Sequence, residues 1–269
     1  MLLVLTLVIL FPAVLYLRGW LYLRGWLSAR SASVNRIPVW RAASFFLGLF
    51  CTWVAVASPV AWLDGRMLTA HMVQHLLLMT FAPPLIWLGA PVLAMLYPLR
   101  AACPLFRWPP LEKLGSILAH PAVCWLSAAA ALVIWHIPAL FRLGMQSQTW
   151  HLIEHASFLV TGLLFWWPVV QPWPSLPRWP RWTMLLYLFL ATLPCDVLSG
   201  LLVFSDRVAY PMYLCMPQKS GLSALEDQQC AAALMWTCVT VVFLVAGTIL
   251  SMQLLSPRNS REVMEVVSI

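Results

Sequence analysis

The feature that most constrains this chain is the length of its uncharged runs. Residues 1–17, 42–63, 67–99, 114–141 and 228–257 contain no Asp, Glu, Lys or Arg. Two further apolar stretches, around 143–177 and 182–205, are interrupted only by the single acids Glu154 and Asp196. A helix needs about 20 apolar residues to cross a bilayer core, so these runs read as spans. Charged residues make up 9% of the 269 residues, where a soluble domain carries about 25%. That excludes a soluble globular enzyme, a disordered chain and a small disulfide scaffold.

The pattern predicts an all-α integral membrane protein, a seven-transmembrane helix bundle forming one polytopic domain over 1–269. The spans are expected near 1–17, 41–62, 67–98, 120–141, 149–170, 182–205 and 228–255. Run 208–218 is short and Pro-rich, so 206–227 reads as a loop. The third span is expected as one helix kinked at Pro83-Pro84. With that choice, twelve basic residues fall in the gaps on one side and four on the other. The bias places the twelve in the cytoplasm, with the N-terminus outside and the C-terminus cytoplasmic. The net charge of +7 is then a topological signal, and nucleic acid is not an expected partner.

Basic residues follow the first apolar run instead of preceding it, so it reads as an uncleaved anchor. The tandem hexapeptide after it, Tyr16–Leu21 and Tyr22–Leu27, reads as an interfacial segment with Trp at headgroup level and Arg snorkelling. Trp166, Trp167, Trp173, Trp179 and Trp182 read as an aromatic belt at the inner face.

Depth sorts the histidines. His71 and His75 open span 3, His136 lies near the outer end of span 4, and His151 and His155 open span 5. All five are expected in the outer half of the membrane; His120 is at the inner face, where hydrogen bonding explains it. His71/His75 and His151/His155 are both i, i+4 pairs, so each lies on one helical face and can grip one ion. Each encloses a polar residue at i+3, Gln74 and Glu154. Carboxylates in apolar spans are costly unless partnered, which marks Glu154 and Asp196, and Asp227 at the start of span 7.

Imidazole suits copper, zinc and iron alike. Sulfur donors near the outer face favour Cu(I): Met72 within the first pair, Met212, Cys215 and Met216 in the loop, and Cys195 and Cys230 beside it. These are also common apolar fillers. The seven cysteines do not require a disulfide; Cys215–Cys230 is one pairing the topology allows.

Several blocks resemble the CtaG-type cytochrome c oxidase assembly factors of bacterial plasma membranes. They are His71-Met-Val-Gln-His75 running into Ala82-Pro-Pro-Leu and Leu88-Gly-Ala-Pro91; Trp135-His-Ile-Pro138; His151-x-x-Glu-His155 with Phe165-Trp-Trp-Pro168; and Asp227-Gln-Gln229 leading to Met235-Trp236. Where the family is Gly-rich after Asp-Gln-Gln, this chain has Cys230-Ala-Ala-Ala233. The resemblance implies a multi-pass protein of the bacterial plasma membrane that serves a haem–copper oxidase subunit in assembly and supplies its copper. It implies partnership with that subunit and with other copper chaperones; a homodimer stays open. On this reading His71, His75, His151 and His155 hold Cu(I), with His136 as a fifth ligand. Gln74, Glu154, Asp196 and Asp227 orient the ligands.

Three rivals stand beside it. His-x-x-Glu-His is also an inverted zinc-protease pattern, giving an intramembrane zinc metallohydrolase. Histidines on facing helices can ligate a b-type haem. A membrane scaffold would bind no metal.

Overall fold

The computed structural model describes residues 2–29, 37–96, 109–172, 179–215 and 221–255. Their regular elements are all helical, without a strand among the described residues. The helices are α1 (Leu2–Ala29), α2 (Val39–Ala57), α3 (Leu68–Leu76), α4 (Ala82–Leu88), α5 (Pro91–Leu96), α6 (Pro109–Leu118), α7 (Pro121–His136), α8 (Pro138–Gln146), α9 (Gln148–Val170), α10 (Arg181–Val203) and α11 (Ala224–Leu255). Five are long and apolar enough to cross a membrane, or six when the bent pair α7 and α8 counts as one span. This is an all-helical, multi-pass membrane protein.

Its axis is the rod formed by α3, a π-helical turn over Leu77–Phe81, and α4. The rod packs against α2, α9 and α11; α7 joins α9 to α10, and α10 lies along α11. The helix is irregular one turn earlier than the Pro83-Pro84 pair suggested. A proline ring clashes with the carbonyl four residues back, here Met79. One extra residue opens the turn, and the Ala82 amide reaches back five residues to the Leu77 carbonyl. The Met79 carbonyl accepts a hydrogen bond from the Trp166 indole at 3.2 Å. Trp166 is therefore buried core rather than part of a surface belt. Gly162 makes this contact close: a Cβ there would lie 2.9 Å from Met79 Cα and from Pro83 Cγ. A small residue lets two membrane helices touch backbone to backbone.

Two other expectations change. The first Tyr-Leu-Arg-Gly-Trp-Leu copy is not merely interfacial, because α1 continues through it as one helix. Tyr16 is buried, stacks on Phe45 with ring centroids 4.0 Å apart, and donates to the Gly89 carbonyl at 2.8 Å. The fourth span ends at His136, where the Ile137-Pro138 step, extended at Ile137, bends the chain by 78° into α8. Pro138 cannot donate back into the helix and biases Ile137 away from helical geometry. Span 7 begins earlier than expected, with Asp227 already in the first turn of α11.

Candidate metal centre

The bundle brings the start of α3, the start of α9 and the end of α7 together. His71 and His75 face α9, and the Glu154 carboxylate lies between them. Its Oε1 is 3.4 Å from His71 Nε2 and 3.3 Å from His75 Nε2. Around these, ring centroids stand 4.2 Å apart for His71/His75 and for His151/His155, 6.0 Å for His75/His136 and 6.0 Å for His75/His155. All five histidines expected at one end of the bundle share one cluster. They do not form a single four-histidine set. The closest donors make two groups joined at His71: His71, His75 and Glu154, fully buried, and Asp64, His71 and His151, nearer the surface.

The donor chemistry fits a metal ion. Both ring nitrogens of His71 and His75, both Glu154 oxygens, and Nε2 of His136, His151 and His155 are buried without a hydrogen-bond partner. Native proteins rarely leave such groups unmet. A charge-assisted N–H···O bond would also be shorter, about 2.7–2.9 Å. By contrast, two donors each about 2.05 Å from a tetrahedral ion stand about 3.3 Å apart. Glu154 Oε1 thus lies close enough to both imidazoles to be a third donor beside them, besides the orienting role expected of it. Among the described residues it has no Lys or Arg partner.

Neighbouring elements hold the donors. His136 Nδ1 lies 2.7 Å from the Leu132 carbonyl, which makes Nδ1 the protonated nitrogen and leaves Nε2 as a lone pair. Phe141 of α8 covers His71 at a centroid distance of 5.0 Å. Gly144 faces Glu154, and a Cβ there would lie 2.7 Å from Oε2. The loop after α10 closes the end: Tyr210 donates to the His136 carbonyl at 3.1 Å and Tyr213 to the Asp64 carbonyl at 2.9 Å. Burial raises the hydroxyl pKa of both tyrosines, so they remain donors.

Other expected residues lie elsewhere. Gln74 turns to α2 and donates to the Ala55 carbonyl at 2.9 Å, so it ties helices together outside the cluster. Asp227 caps α3: its carboxylate accepts from Leu68 N at 2.6 Å, Thr69 N at 3.3 Å and Thr69 Oγ1 at 2.6 Å. It orients no ligand directly but fixes the helix that carries two of them. Asp196 is half-buried on α10, without a hydrogen-bond or ion-pair partner among the described residues. Met72 and Cys195 are buried; Met212 is half-buried, while Cys215 and Cys230 are exposed free thiols. Met216 lies outside the described residues, as does Trp173. His120 caps α7, accepting from Ala122 N at 3.2 Å.

Asp64 was missed. It sits in the short connection before α3, and its Oδ2 is 3.3 Å from His151 Nε2. The sequence signal is slight: an acid seven residues ahead of the first histidine, in a short connection between apolar runs.

An uncharacterized protein of Mycobacterium bovis is 25% identical over 213 residues, covering 76% of this chain and 32% of that protein. One from Mycobacterium leprae is 24% identical over 223 residues, covering 78% and 33% respectively. The chain thus spans about a third of the length of the curated relatives it matches. No solved structure matches. The profile described as cytochrome c oxidase caa3 assembly factor (Caa3_CtaG) matches residues 20–256. With its histidine, proline and Asp-Gln-Gln blocks all inside that span, the chain belongs to the caa3 cytochrome c oxidase assembly factor family.

Proposed function

We propose that this chain binds copper as Cu(I) at the His71/His75/Glu154 group and passes it to a haem–copper oxidase during assembly. The carrying observation is the pair of 3.3–3.4 Å separations around Glu154 Oε1, among buried donors with no hydrogen-bond partners. Charge supports a monovalent ion. One carboxylate and neutral imidazoles balance Cu(I), whereas Zn2+ would leave a net positive charge buried in the bilayer. The family is one of assembly factors, a non-enzymatic role, and nothing supports the hydrolase reading.

The setting belongs to the same proposal. The rod Leu68–Leu88 is about 31 Å long at 1.5 Å per residue, enough to serve as a seventh span. The basic-residue bias then puts the N-terminus and the cluster at the outer face of a bacterial plasma membrane, the C-terminus in the cytoplasm, and Asp64/His151 where copper arrives. Delivery proceeds by ligand exchange with the oxidase subunit or another copper chaperone. The test is metal content of the detergent-purified protein under reducing conditions, beside His71→Ala and Glu154→Gln. Copper in the parent and the loss of one equivalent from both folded variants supports the reading. Zinc in place of copper, or an unchanged copper stoichiometry in both variants, defeats it.

A further inference from the structure

Beside the histidine cluster, bounded by two of its members, lies a half-open cavity of about 60 Å3. Its wall includes Met72 of α3, Met79 of the π turn, Cys195 of α10 and Met235 of α11, together with His75 and His136. Four elements thus contribute a sulfur-bearing residue to the wall of one space. Met72, Cys195 and Met235 are each at most 4% exposed, so none reaches solvent or lipid from there. The imidazoles supply an independent sign of a ligand. His136 is 6% exposed, its Nδ1 is tied to its own helix, and Nε2 has no partner. His75 lines the cavity and also stands beside Glu154.

We infer that this cavity is a second metal site, selective for a soft monovalent ion and separate from the His71/His75/Glu154 group. Thioether donors favour Cu(I) over zinc, calcium or magnesium, and imidazole accepts it. Thioethers and imidazoles are neutral donors at low dielectric, so the cavity holds a single positive charge far better than a double one; Cys195 would join them only as a thiolate, giving up its proton. The volume suits one ion and excludes an organic ligand. His75 lies between the two groups, and its single lone pair can serve either ion in turn, which gives an ion a path from the Glu154 group into the cavity by ligand exchange; with both sites filled, the cavity ion is left to His136 and the sulfur-bearing residues. Thioethers do not titrate, so uptake into the cavity requires no proton release from Met72, Met79 or Met235.

This inference rests on the copper reading above but fails separately from it. The experiment is anaerobic titration of the purified protein with Cu(I), and with Ag(I) as a redox-inert probe. X-ray absorption distinguishes sulfur from nitrogen and oxygen neighbours. The key variant is Met72→Leu/Met235→Leu, a pair of volume-conserving changes; Cys195→Ala is tested alone. The expected result is two ions per parent chain with metal–sulfur scattering, and one ion without that scattering in the double variant. A parent that binds one ion with only nitrogen and oxygen neighbours, lost in His71→Ala, overturns the cavity site and leaves the copper reading standing. A parent that binds neither ion overturns both. A double variant that keeps two ions and the sulfur signal overturns the assignment to this cavity.

Discussion

Two stretches of the same helix pair are opposites. Where α3 meets the start of α9, polar side chains face one another with their hydrogen bonds unmet. One turn further on, where the π turn meets the later part of α9, backbone carbonyls are covered: Trp166 donates at 3.2 Å to the Met79 carbonyl, which Pro83 cannot reach, and Trp87 donates to the Leu163 carbonyl at 2.8 Å. Tyr187 of the neighbouring α10 donates to the Phe165 carbonyl at 3.0 Å. Within a bilayer each uncovered group costs several kcal/mol. The fold evidently can satisfy such groups along this contact. That it leaves His71, His75 and Glu154 unsatisfied points to a ligand rather than to poor packing.

The contrast can be broken from either side. The largest effect is expected at the satisfied end. Gly162→Leu drives a side chain into the Met79 backbone and the Pro83 ring and should destabilise by about 3 kcal/mol. A variant that melts like the parent in detergent would show that the close approach is not needed. At the unsatisfied end, Glu154→Gln keeps the shape and removes the charge. Copper affinity should fall at least about 100-fold, while the metal-free protein melts no earlier, because an unpaired buried carboxylate has been removed. A lower metal-free melting temperature would mean that Glu154 serves the fold.

Asp227→Ala tests the link between the two roles. It strips the cap from α3 and should cost about 2 kcal/mol, with copper affinity reduced only through the looser helix. Thermal unfolding and metal titration of the same sample separate these effects. The smallest change is Trp166→Phe, which keeps the ring and uncovers one carbonyl, at about 1–2 kcal/mol. Copper binding to the His71/His75/Glu154 group should be unaltered, and a loss there would erase the division between the two stretches.

The sequence carried some of this and not the rest. Long helices were legible because charge avoidance in lipid is strong and local: α9 and α10 begin and end within two residues of the expected spans. The i, i+4 histidine pairs were legible because helical spacing alone puts them on one face. Asp64 was not, since a loop acid meets His151 only through tertiary packing. Gln74 misled because a flank position on α3 can serve either neighbour, and α2 offered an acceptor. Asp227 announced itself as an intramembrane acid, but the cost of a buried carboxylate does not say whether a metal or a helix end offsets it. The fourth span's bend could have been read from Ile137-Pro138, but a proline within a membrane span often only kinks it.

The π turn has a consequence for clocking. Each residue of a helix advances the side-chain direction by about 100°, and Leu77–Phe81 contains one more residue than a regular turn would. His71 and His75 above it, and Pro83 below it, meet α9 together only because of that extra step. Removing a single residue from this turn would leave composition, hydropathy and length almost untouched. It would nevertheless rotate one half of the rod against the other, so that either the histidines or the proline contact faces the wrong helix.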